Sequence, residues 1–151
     1  MRLYGSVISN MEPLIVDVNV LLSSLISRGN SFQIFFFNRI LKKFDFVAPK
    51  YLIEELAKHK NKLMQKSILP YFIIQSDFEF VLEKIKFISE SGYEDKIEEA
   101  KIILKEHQKD VPYLALALKF NCNIFSGDKI FKQLCPEKVK TPKELLQELF
   151  N

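Results

Sequence analysis

The chain has 151 residues, of which 48% are apolar and 27% charged, and its formal net charge is +3. That length suits one compact domain over residues 1–151 with a sizeable core. Four glycines and six prolines argue against linkers or low-complexity stretches. Apolar runs such as Ile34–Phe37 fall far short of a membrane span. The opening residues lack the apolar block and small-residue cleavage site of a signal peptide. Cys122 and Cys135 stand in no metal-like spacing, so reduced thiols in a cytoplasmic protein are expected.

The elements follow in chain order. "LIV" before Asp17 is short, apolar and largely β-branched, as in a buried parallel strand. "VNVLLSSLIS" then reads as a helix stopped near Gly29 and Asn30. "SFQIFFFNRILKK" reads as a second helix, capped by its serine, with Phe32, Phe35, Phe36 and Ile40 as its apolar positions. "DFVAP" predicts a strand ended by Pro49, and "KYLIEELAKHKNKLMQKS" an amphipathic helix burying Leu52, Leu56 and Leu63. "SDFEFVLEKIKFISESG" and "YEDKIEEAKIILKEH" both read as helical. Asp110 opens a helix over "VPYLALALKF", with Pro112 tolerable in its first turn. "NCNIFSGD" predicts a strand closing on Asp128, followed by a short helix, "KIFKQL", and a last extended segment, "KVKT". Thr141 and Pro142 mark the start of a terminal helix. Short buried strands alternating with helices predict a parallel sheet covered on both faces.

Charge is unevenly spread. Lysines and Arg39 dominate from Arg39 to Lys66, and acids outnumber lysines from Ser76 to Glu106. The division suits a polyanion-facing surface beside a solvated one, or equally a set of ordinary amphipathic helices.

In open α/β sheets, ligands bind outside the carboxyl ends of the strands. Asp17 and Asp128 fall at two such ends, Glu54 and Glu55 in the first turns of the helix after the second strand, and Asp110 at the helix before the next strand. Taken singly, the three aspartates are accounted for as helix caps, each for about 1 kcal/mol. Together they place acids at successive boundaries of one rim, with Lys129 the one cation obviously placed to neutralise them. Crowded carboxylates repel unless a cation resolves the conflict. An oxygen-only set suits Mg²⁺ or Mn²⁺ rather than zinc. Such an ion can acidify a water and stabilise the charge that builds on phosphorus and on the leaving oxygen. Asn19, Ser23 and Ser126 are neutral residues able to support the acids, Asn19 the best placed. His59 and His107, on lysine- or glutamate-rich helices, read as surface residues.

The stretches "IVDVNVLLSSLI", "FVAPKYLIEELAKHK" and "KDVPYLALALKFNCNIFSGDKIF" resemble a PIN domain, the metal-dependent ribonuclease fold found in many toxins of toxin–antitoxin pairs. The resemblance implies a three-layer α/β/α sandwich around a parallel sheet of about four or five strands. It also implies an acidic pocket for Mg²⁺ or Mn²⁺ formed by Asp17, Glu55, Asp110 and Asp128, with Asn19 and Ser126 in support. Glu55 is chosen over Glu54, which stays open as the alternative. Val18 departs from the family pattern, in which many relatives carry threonine or serine. The implied activity is hydrolysis of RNA phosphodiester bonds, with lysines of the "AKHKNK" helix guiding the backbone. The implied partners are RNA, an antitoxin protein and a second copy of the chain in a homodimer, with no membrane. Two other readings stand beside it. One is a PIN-like module that binds RNA or protein without turnover. The other is a phosphotransferase using Asp17 as nucleophile, which is weakened because such enzymes commonly carry a second aspartate where this chain has Asn19.

Overall fold

The computed structural model describes residues 2–4 and 7–151, with side chains from residue 10 onward. Five parallel strands form the central sheet: β3 (Glu12–Val16), β4 (Phe44–Pro49), β5 (Ile85–Ile88), β6 (Asn123–Phe125) and β7 (Val139–Lys140). Their spatial order is β5-β4-β3-β6-β7. A separate antiparallel pair, β1 (Arg2–Tyr4) with β2 (Val7–Ser9), precedes it. Leu14, Ile15 and Val16 of β3 are all buried, because the strand has a neighbour on each edge and helices over each face. Ile15 stands beside Val47 on one side and Ile124 on the other.

The chain builds outward from β3 through β4 to β5, then returns to the other side of β3 for β6 and β7. The reversal lies between β3 and β6, where the connections diverge and leave a crevice at the carboxyl ends. Asp17 follows one of these strands and Ser126 the other, and the Asp17 amide donates to the Phe125 carbonyl at 3.0 Å.

Among the described residues, eight α-helices cover the sheet. Helix α1 (Val18–Ser27) leads to α2 (Asn30–Leu41), and α3 (Tyr51–Lys66) to α4 (Tyr71–Glu83). Then come α5 (Ile97–Leu104), α6 (Val111–Phe120), α7 (Lys129–Leu134) and α8 (Pro142–Leu149). Phe35 anchors α2 to the sheet, its ring 4.9 Å from that of Phe46 and 5.6 Å from that of Phe125. Helix α6 packs on β3, β4 and β6 beneath α5, so its run from Tyr113 to Ala117 is buried on every side.

Five expectations are corrected. "KIKFI" does not continue α4: the segment Ile85–Ile88 leaves the helix and becomes the edge strand β5 beside β4. Helix α1 spans the expected Val18–Ser27, but Arg28, the first residue of "RGN", makes the stop in place of Gly29 and Asn30, taking the left-handed conformation (φ 50°). Its guanidinium grips the buried Asp77 of α4 through two bonds, 2.9 and 3.0 Å long. The α2 cap is Gly29, and Ser31 lies inside the helix, bonded to Ser23. Helix α2 also turns Ile34, Phe35 and Asn38 inward and leaves Ile40 exposed. The region from Tyr93 to His107 is helical only in parts, with a 3₁₀ turn at Glu94–Lys96 before α5.

Asn38 ties α2 to the start of β4. Its Nδ2 donates to the Phe44 carbonyl at 2.8 Å, and its Oδ1 accepts from the amides of Lys43 and Phe44. Asn38→Ala strands those buried groups and is expected to cost about 2 kcal/mol in urea unfolding. A cost indistinguishable from zero would show that the junction holds without it.

Candidate active site

The end of β3 and the end of β6 share one hydroxyl. Ser126, fully buried, donates from Oγ to Asp17 Oδ2 at 2.7 Å. The same Oγ accepts from the Asp128 amide at 3.1 Å and from Asn19 Nδ2 at 3.4 Å. Asn19 Oδ1 in turn accepts from the Gly127 amide at 3.2 Å. Asn19 and Ser126 therefore brace the crevice by fixing the turn after β6 against Asp17.

The cap explanation of the three aspartates can now be separated residue by residue. Asp17 and Asp110 occupy the N-cap positions of α1 and α6, yet neither carboxylate bonds an amide of its helix. Asp128 does cap α7: its Oδ1 accepts from the amides of Ile130 and Phe131 at 2.9 and 3.1 Å. Its other oxygen, Oδ2, faces Lys109 Nζ at 3.2 Å and His107 Nε2 at 3.5 Å. Glu55 points toward the same crevice and accepts from the hydroxyl of Tyr113 at 2.5 Å. Glu54, next to it, is exposed.

The electrostatics follow from burial and crowding. Asp17 is only 3% exposed, and burial first, then the charge of Asp110, raises its pKa to about 7; Glu55 and Asp128 add to the rise, and the Ser126 bond opposes it. Asp110 is also raised to about 7, by burial and then by Asp128 and Glu55, against the pull of Lys109. For Asp128, burial pushes upward, but the Phe131 and Ile130 amides and Lys109 outweigh it and hold its pKa below the ordinary value. Burial and then the bond to Glu55 raise the Tyr113 hydroxyl, which stays a donor. Asp17 thus feels the other three acids, Asp110 feels Asp128 and Glu55, and Glu55 rather than Glu54 is the glutamate that acts on both.

Two sequence readings change here. His107 is not a surface residue: its side chain is only 17% exposed and its Nε2 lies 2.6 Å from Asp110 Oδ2. The cation at the pocket is Lys109, not Lys129, which is exposed. Sequence reasoning passed over both because their flanks are charged. A usable signal was the spacing His107-x-x-Asp110: residues 108–110 form a 3₁₀ turn, in which side chains three apart eclipse.

The donor set fits a hard divalent cation. Asp110 Oδ2 is buried and has no hydrogen-bond partner among the described residues; the nearby His107 nitrogen is close but not aligned for one, and is itself unpartnered. A buried carboxylate oxygen without a donor is costly, and a cation bound at that oxygen removes the cost. His107, Asp110 and Asp128 each offer one ligand atom, all within 4.8 Å of one another.

A doubly wound parallel sheet with carboxylates gathered at its strand-order reversal defines the class. The PIN domain model matches residues 15–149, and the chain belongs to the PIN domain family. Among solved structures, it is similar to a chain in the crystal structure of VapBC2 from Rickettsia felis bound to a DNA fragment from their promoter. The two are 12% identical and superpose with a TM-score of 0.64, over 85% of this chain and 98% of that one. No curated protein matches the sequence. Among the described residues, no helix is long and apolar enough to cross a membrane.

Proposed function

We propose that the protein is a divalent-metal-dependent endoribonuclease whose acids are Asp17, Glu55, Asp110 and Asp128. The observation that carries this reading is the gathering of two buried aspartates, Asp17 and Asp110, each raised to about 7 chiefly by burial, with Glu55 and Asp128 close enough to add to the rise. The four would hold Mg²⁺ or Mn²⁺. When bound, the ion supplies an activated water and neutralises charge developing on a phosphodiester. The chain's own residues do the positioning: Ser126 holds Asp17, Tyr113 holds Glu55, and Asn19 holds the turn that carries Asp128. A cleft of about 410 Å³, lined by Tyr51, Tyr93, Lys101, Gln108 and Val111 among others, adjoins the helix starts that bear Glu55 and Asp110. Lys58, Lys62 and Lys66 stand exposed along α3 and would guide the RNA backbone without reading its sequence.

Mn²⁺-dependent cleavage of a mixed RNA pool by the wild type, lost in Asp17→Asn, is the expected result. Equal cleavage by both proteins overturns the assignment.

A binding module without turnover is the second reading, favoured by Lys109 and His107 already standing against Asp128 and Asp110. Failure to bind Mg²⁺ or Mn²⁺ in a calorimetric titration would select it. Asp17 as a phosphoryl-accepting nucleophile is disfavoured by its burial and its bond to Ser126. Likeness in fold to a VapBC2 chain supports an antitoxin as partner, making the protein the toxin of such a pair. A homodimer would draw on exposed apolar residues such as Ile68, Tyr71 and Phe72.

A further inference from the structure

We infer that His107 is a nitrogen ligand of the pocket's cation, alongside Asp110 and Asp128, and that this mixed set selects Mn²⁺ over Mg²⁺. The inference rests on the metal-dependent reading above and adds to it a ligand of different chemistry.

Geometry is the first support. Neighbouring ligand atoms around an octahedral ion with bonds near 2.1 Å sit about 3 Å apart. His107 Nε2 lies 2.6 Å from Asp110 Oδ2 and 3.5 Å from Asp128 Oδ2, on either side of that spacing. The three ligand atoms span no more than 4.8 Å. Bonding is the second support. Nε2 of His107 and Oδ2 of Asp110 are both buried, and neither has a hydrogen-bond partner among the described residues although they nearly touch. Two buried atoms this close, without a shared hydrogen bond, stand where adjacent ligands of one ion would stand.

Placement is the third. The 3₁₀ turn Gln108–Asp110 sets His107 over Asp110, and Pro112 in the first turn of α6 fixes the path that follows. Asp128 cannot swing away to take the ion alone, because its Oδ1 is held by two α7 amides. Lys109 also reaches Asp128 Oδ2, but from a side chain 61% exposed that is free to withdraw.

Imidazole nitrogen is a poor match for Mg²⁺, which demands oxygen, and a better one for first-row transition ions. Mn²⁺ accepts both donor types.

The test uses Mn²⁺ and Mg²⁺ themselves as probes on the full chain, with no RNA present. Pulsed electron-spin-echo spectra of the Mn²⁺-loaded wild type are expected to show ¹⁴N modulation from a directly bound imidazole. That modulation should vanish in His107→Gln, although exposed His59 is still present. By calorimetry, the substitution is expected to weaken Mn²⁺ binding about tenfold and Mg²⁺ binding far less. Wild-type spectra without ¹⁴N modulation overturn the inference without requiring any variant to fold. So does His107→Gln binding Mn²⁺ as tightly as the wild type, or more tightly, which would make the histidine a competing cation. In each case retained Mn²⁺ binding leaves the metal-dependent reading standing. If the wild type binds no Mn²⁺, both fall together.

Discussion

Asp110→Asn is expected to yield a protein that withstands heat better than the wild type in EDTA and yet is deficient in the proposed RNA cleavage. At pH 8 the wild-type carboxylate is ionised in a buried site, beside Asp128 and Glu55, at a cost expressed in its elevation to about 7. The amide has nearly the same shape and no charge, so the repulsion disappears. Each pKa unit of such strain corresponds to about 1.36 kcal/mol. A net gain of about 2 kcal/mol allows for the pull of Lys109 that the amide no longer feels. For a chain of this size that raises the melting temperature by about 4–8 °C. Cleavage is expected to fall by about a hundredfold or more, the scale seen when a preorganised charged group is removed from a site. Scanning calorimetry and a cleavage assay on the same preparation check both halves. An active Asp110→Asn protein would remove this residue from the site. A less stable one would show that burial of the carboxylate is compensated by contacts worth more than the repulsion.

The second large effect is a dependence of stability on pH that a bound cation reverses. Asp17 and Asp110 have pKa values raised from 3.8 to about 7 in the folded protein. Between those limits the native state holds more protons than the unfolded chain, so stability falls as pH rises. The loss begins near pH 4 and is complete above about pH 7. Asp128, with its lowered pKa, acts in the opposite sense but only on the acid side of that window. Overall charge also works the other way, since a net charge of +3 shrinks as pH approaches the isoelectric point of about 8.8. In EDTA the melting temperature is therefore expected to drop by at least about 5 °C from pH 5.5 to pH 8. Saturating Mn²⁺ should restore it, with the largest increment at pH 8, where the acids are ionised without proton competition. A flat profile in EDTA would mean that the acids do not share a pocket.

Much of this arrangement is legible in the residues. "LIV" before Asp17 and "NIF" before Ser126 can be placed because buried parallel strands are short, apolar and unbroken. The terminal helix announces itself through Thr141 and Pro142, and Thr141 forms a full capping box with Glu144. Glu55 is separable from Glu54 by helical angle alone: it flanks the face of Leu52, Leu56 and Leu63, whereas Glu54 points about 180° away. Strand β5 escapes such reading. Ile85–Ile88 is only four residues long, carries the exposed Lys86, and directly follows a helix whose apolar pattern it continues. It is a strand because β4 offers a free edge, a tertiary fact. Arg28 likewise tolerates a left-handed backbone because Asp77, far along the chain, holds its side chain. His107 depended on a turn of the 3₁₀ type, which local composition does not announce.

Asp128 divides its labour between its two oxygens, one closing the end of α7 and the other facing the pocket. Asparagine keeps an oxygen for the first task and caps a helix about as well as aspartate. It removes the negative charge needed for the second. A change from an aspartate codon to an asparagine codon needs one base. Under the proposed toxin function, that would be a short mutational route to a chain that still folds and no longer cuts. Asp128→Ala, which forfeits both tasks, would take the costlier path.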